Sequence, residues 1–227
     1  MIAAIRWLLV ASITMCAGPA FADLPPRAVQ YLPALKAEIT TRWPDMPLPS
    51  ALAAQVEQET CPSLKSAKCW NPRTELKTDR EYGFGLGQLT VTSRFNAWEE
   101  VKTMDRGLAG WTWEGRYDPV LQLRALVVKD RFNWRRFPDA AGIDRLAFAL
   151  AAYNGGVGGV MSDRRICMAT SGCDPGQWFG HVEKTSLKAR AKVQGYGKSF
   201  FDINREYVMN VLNVRRAKYV ASMEGWS

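Results

Sequence analysis

The chain has 227 residues, 47% of them hydrophobic, which suits one compact domain, or at most two small ones, and excludes a disordered chain. Its formal net charge of +8 favours anionic polymers as partners without choosing among them. Past the first residues no stretch is apolar enough to cross a bilayer, and the lone histidine, His181, follows Phe179 and Gly180 in a loop-like stretch with no nucleophile signature.

Residues 1–22 read as a secretory signal peptide. Arg6 is the only charge there, an apolar run covers residues 7–16, Gly18 and Pro19 break it, and Ala20, Phe21 and Ala22 form the small-x-small triplet after which cleavage is expected. The run falls short of the roughly 20 apolar residues of a membrane span. Cys16 follows Met15, not the small residue that lipoprotein processing wants. The expected product is a single domain over residues 23–227, exported to the periplasm or the medium.

The periodic segments that follow are helical. Leu35 and Ile39 sit four apart in a helix over residues 33–41, with Pro33 in its first turn. Pro44, Pro47 and Pro49 break the chain before a second helix at 50–59. An irregular stretch covers 60–82, and a small hairpin or an irregular strand within 82–92 is the one strand candidate. Asp118 and Pro119 are an N-cap and N1 pair opening a helix to about residue 137. Another helix spans 143–153 and is stopped by Gly155 and Gly156. A last one covers 204–221. The fold class is therefore mainly α.

Cys61, Cys69, Cys167 and Cys173 would remain after export, and an even count in an exported chain suggests disulfides. Three pairings are possible. The sequence-local one, Cys61 with Cys69 and Cys167 with Cys173, is expected. The C-x7-C and C-x5-C spacings do not suit zinc.

Three short motifs carry chemistry. At 100° per residue Glu59 falls within about 20° of Leu52 and so lies on the apolar face of its helix, whereas Glu57 points about 140° away, toward solvent. Burial and the negative helix end both raise the pKa of such a carboxyl, as a general acid at neutral pH requires; the helix alone equally suits a frayed last-turn Glu in a salt bridge. Gly83, Gly85 and Gly87 alternate, but the nucleotide-binding spacing G-x-G-x-x-G would need glycine where Gln88 stands. These glycines instead suit a tight turn or a close backbone approach to a ligand, with Gln88 offering a donor and an acceptor. Tyr153 and Asn154 precede Gly155 and Gly156 at a helix end. Trp98, Trp111 and Trp113 suit stacking on sugars but are expected mostly in the core, and Arg215 with Arg216 is expected on a solvated face.

Taken in order, Glu59-Thr60, then Gly85-Leu86-Gly87-Gln88, then Ala152-Tyr153-Asn154-Gly155-Gly156 resemble the motifs of the soluble lytic transglycosylases, a family that usually shows Glu-Ser, Gly-Leu-Met-Gln and Ala-Tyr-Asn-x-Gly. Ala53 to Glu59 is similar to the helix that leads into the family's catalytic Glu, and Tyr207-Val208 with Val211-Leu212 to its C-terminal Tyr-Val motif. The likeness covers roughly residues 30–220. Thr60 replaces Ser, Gly87 replaces Met, Ile203 stands where the family often has Glu, and the Glu59–Gln88 interval is longer and carries the Cys61/Cys69 pair.

The resemblance implies a lysozyme-like α-helical domain around a saccharide cleft, cleaving peptidoglycan glycan strands. It implies Glu59 as the catalytic acid and base, Gln88 holding an acetamido group, Tyr153 orienting Glu59 or the intermediate, and Gly85, Leu86, Asn154 and Tyr207 lining the substrate site. No cofactor or metal is implied, and nucleic acid is not the expected partner. An envelope-spanning secretion, conjugation or phage machinery is a possible one. Two alternatives stay open: a lysozyme-type hydrolase using a second carboxylate such as Asp79 or Glu81, and a non-catalytic wall-binding protein of the same fold.

Overall fold

The computed structural model describes residues 24–187, 190–193 and 197–224. The leader expected at residues 1–22 lies outside the described residues. Among those described, no helix is long and apolar enough to cross a membrane.

The architecture is mainly helical. Helix α1 (Pro26–Arg42) starts seven residues before the expected helix, because Pro25–Pro26 already supplies the prolyl first turn, and it carries Pro33 in its interior. Helix α2 (Pro49–Thr60) has Pro49 at its first position. Three short strands follow, β1 (Glu75–Lys77), β2 (Tyr82–Phe84) and β3 (Leu89–Val91), in one antiparallel sheet of order β1-β2-β3. The β2–β3 hairpin matches the expectation, and β1 is an addition inside the stretch read as irregular. Helix α3 (Ala97–Met104) was missed although Asn96 caps it, accepting from the Glu99 N–H at 3.1 Å.

Helix α4 (Pro119–Arg135) opens as expected, with Asp118 accepting from the N–H groups of Val120 and Leu121 at 2.8 and 2.9 Å. Helix α5 (Gly142–Gly155) ends at Gly156, whose φ of 80° is the left-handed value that glycine adopts freely. Helix α6 (Val157–Met168) follows at once and was also missed. The last helical run begins at Phe200, earlier than expected: α7 (Phe200–Met209) passes into a π-helical segment (Asn210–Arg215), a 3-10 turn (Arg216–Tyr219) and α8 (Val220–Met223).

Helix α5 is the hub. Leu146 to Ala152 are all buried, and the helix packs against α4, α6 and α7. Helix α2 packs on the π-helical and 3-10 segments, so it is enclosed on both sides. A smaller apolar cluster joins the sheet and α3 to one side of α4 through Phe84, Leu89, Trp98, Trp111 and Val128. Trp98 and Trp111 are buried, while Trp113 reaches the surface.

Both disulfides take the local pairing, Cys61–Cys69 and Cys167–Cys173. Each short loop contributes about 2–3 kcal/mol on the chain-entropy model. The first clamps the loop after α2, which Arg27 also holds by donating to the Ala67 carbonyl at 2.7 Å.

Candidate active site

A cleft of about 940 Å³ runs between the C-terminal end of α2, the β-hairpin, α4 and the end of α5. Glu59, Gln88, Tyr153 and Asn154 all line it. The volume is at the upper end of the range typical of small-molecule sites, and the form is an open groove suited to an extended ligand.

Glu59 sits in the last turn of α2, partly accessible from the cleft. Burial of its carboxyl pushes its pKa up to about 8, against the pull of a hydrogen bond from Tyr207 and of the Lys129 charge. Tyr207 Oη donates to Glu59 Oε1 at 2.5 Å. Tyr207 is buried on α7 and forms no part of the cleft wall. This corrects the expectation that Tyr207 lines the substrate site: Tyr207 holds the carboxyl from behind the cleft wall, and cleft-lining Tyr153 donates to the Gly87 carbonyl at 2.6 Å. The Lys129 ammonium lies 3.1 Å from Glu100 Oε2, and both residues line the cleft.

Glu57 is the second correction. It is wholly buried, accepting from Arg215 Nη1 at 2.7 Å, Lys218 Nζ at 2.8 Å and Tyr219 Oη at 2.6 Å. Arg215 also donates through Nε to Gln58 Oε1 at 2.8 Å and lines the cleft, so it is not on a merely solvated face.

The glycine-rich turn owes its shape to two different close contacts. Gly85 has φ 79°, and a Cβ there would stand 2.5 Å from Gln122 Cδ. Gln122, on α4, accepts from the Leu86 N–H and donates to the carbonyls of Pro72 and Arg116, which pins the turn to the helix. Sequence reading missed Gln122. Leu86 is fully buried in the core and Gly85 is buried within the turn, so neither lines the cleft, contrary to the expectation for both. At Gly87 a Cβ would stand 2.6 Å from Tyr153 Oη and 3.2 Å from Leu126 Cδ1. Gly87→Ala is therefore expected to displace Tyr153 and to lower stability by about 1–3 kcal/mol; a denaturation midpoint equal to wild type would contradict this.

Gln88 adopts φ 43°, unusual for a residue with a side chain. Its Nε2 donates to the carbonyls of Thr74 and Gly85 at 3.1 and 2.9 Å. Both amide protons are thus committed within the turn, and Oε1 is the atom left to accept from a ligand. Asn154 is exposed at the rim and accepts from Asn204 Nδ2 at 3.1 Å; Asn204, buried on α7, also donates to the Ala151 carbonyl.

Of the two further carboxylates considered, Glu81 lines the cleft and Asp79 does not. Glu75 also lines it. Hydrogen bonds from Tyr117 and Tyr82 hold Glu75 below the usual carboxylate range, so it is charged at neutral pH. No protein-family model matches the sequence, and no curated protein matches it.

Proposed function

We propose that the protein is a peptidoglycan lytic transglycosylase with Glu59 as its single acid and base. The observation that carries the reading is a cleft-lining carboxyl whose pKa burial raises to about 8 and which one tyrosine holds. A group of that kind suits donation of a proton to a leaving oxygen. The ordered motifs support it as well: Glu59, Gln88 and Tyr153 come from distant parts of the chain and share one cleft. A helical body with a small antiparallel sheet at the cleft edge suits the lysozyme-like fold that the resemblance implies. Two disulfides and a leader-like N-terminus suit an exported protein, and an envelope-spanning machinery is its proposed partner.

In this reading Glu59 donates its proton to the glycosidic oxygen between the muramoyl and glucosaminyl rings, and the C1–O bond breaks. The carbonyl oxygen of the muramoyl N-acetyl group bonds to C1 and carries the developing charge, a substrate-assisted route. Gln88 Oε1 accepts from the acetamido N–H and holds the group in line. Glu59, now a carboxylate stabilised by Tyr207 Oη and Lys129, takes the proton of the C6 hydroxyl. That oxygen attacks C1 and closes a 1,6-anhydro ring as the bond between C1 and the acetamido oxygen breaks and the N-acetyl group is restored. The nucleophile belongs to the same sugar, so no second protein base is needed.

The charged Glu75 and the cleft-lining Glu81 favour one rival, a hydrolase in which a carboxylate activates water. The proposal is tested by incubating purified protein with peptidoglycan and following soluble fragments against pH. Fragments are expected, with kcat/KM falling as pH rises through about 8, where Glu59 loses its proton. A rate that keeps rising above that pH would sink the role given to Glu59, and an absence of fragments at every pH would leave a binding protein.

A further inference from the structure

Among the described residues, one buried acid outside the mechanism stands without a hydrogen-bond partner. Asp130 lies on α4 next to cleft-lining Lys129 and is fully buried. Neither of its carboxyl oxygens has a hydrogen-bond partner. The same holds for both amide atoms of Gln55, which is also fully buried and sits one turn before Glu59 on α2. The Gln55 amide faces Asp130 and favours its charged form without closing a bond of normal geometry.

The groups around Asp130 argue against that charge. Glu59 on α2 disfavours it, and Tyr153 on α5 and Tyr207 on α7 share the same electrostatic neighbourhood. The one cation acting on it, Lys129, is committed to Glu100. A buried carboxylate with no cation at contact is destabilising, whereas a neutral acid avoids most of that cost and gains a donor. Burial accordingly raises the Asp130 pKa well above its ordinary value.

We propose that Asp130 is a positioning residue that works as a neutral carboxylic acid, backing Glu59 through Gln55 and staying uncharged while Glu59 gives up and regains its proton. The proposal rests on the glycan-cleaving reading for its catalytic half only. A neutral acid does nothing that an amide cannot do in its place. Asp130→Asn should therefore preserve the site, whereas Asp130→Leu, of similar size, leaves Gln55 facing an apolar wall and loosens the last turns of α2.

The sign of the stability effect follows from the raised pKa. The folded chain keeps a proton that the unfolded chain releases once pH exceeds the ordinary Asp value, so wild type loses stability as pH rises and the Asn variant escapes that loss. The test is thermal unfolding of wild type, Asp130→Asn and Asp130→Leu from about pH 4 to about pH 9, with kcat and KM on peptidoglycan over the same range. Asp130→Asn is expected to gain Tm over wild type progressively with pH, and to keep kcat within about threefold with an unchanged alkaline limb. Asp130→Leu is expected to lose kcat by about tenfold or more at unchanged KM. A Tm gap flat in pH, an alkaline limb moved down in Asp130→Asn, or equal loss of kcat in both variants overturns the proposal. Should wild type cleave no glycan, the glycan-cleaving reading fails, and the pH dependence of the Tm gap still decides the charge state of Asp130.

Discussion

Glu59→Gln is expected to abolish glycan cleavage and to stabilise the fold at the same time. Gln occupies the same space and its carbonyl still accepts from Tyr207 Oη, but it has no proton to give, so kcat should fall by about 10³-fold or more. The stability change has the opposite sign. Glu59 titrates at about 8 in the folded chain against 4.5 for the ordinary group. The folded state therefore retains a proton that the unfolded state releases over that interval, and wild type loses stability as pH rises through it. The variant escapes this loss by on the order of 2–3 kcal/mol near pH 7, after allowance for the partly accessible carboxyl. That corresponds to a Tm higher by about 5–10 °C, shrinking toward zero at acid pH. Activity lost with stability unchanged at every pH would mean that Glu59 is not held as a buried neutral acid.

Glu57→Leu should be the most destabilising exchange near the site. Removing the carboxylate leaves Arg215 and Lys218 facing an apolar side chain, and breaking a buried ion pair in this one-sided way costs about 3–5 kcal/mol. It also frees the C-terminal segment from α2. Tyr207 and Arg215 belong to that same helical run, so the support of Glu59 and one cleft wall loosen together. Urea unfolding should show a midpoint much lower than wild type with similar m. A loss below about 1 kcal/mol, the range of a surface pair, would contradict the account.

These two neighbouring glutamates show where sequence reading succeeds and where it stops. The 100° rule put Glu59 beside Leu52, and its raised pKa followed from burial. The same rule sent Glu57 to solvent. It failed because α2 is enclosed all round, with every residue from Ser50 to Glu57 buried, and the second wall comes from residues about 160 positions away. The alanines at 51, 53 and 54 were the available signal, since a helix lacking a polar face is a buried one.

Elsewhere the misses have local causes. Helix α6 begins with Val157, Gly158 and Gly159, which read as the continuation of a stop. Helix α3 is short, and its Asn96 cap was the clue. The 204–221 helix was legible as helical but not as a change of hydrogen-bond period, which side-chain pattern does not encode. Asp130 was findable: Leu123, Leu126 and Val127 continue to it at helical spacing, and all four are buried. Tyr207 was noted for its motif, but its bond to Glu59 depends on α7 crossing α5, which no local pattern reports.

The most direct measurement is mass spectrometry of the soluble fragments that the purified protein releases from peptidoglycan. The account predicts muropeptides ending in 1,6-anhydromuramoyl groups, one water lighter than hydrolytic products, and none of them with Glu59→Gln. Fragments with free reducing ends would contradict it, and would move the chemistry to water activated by Glu75 or Glu81.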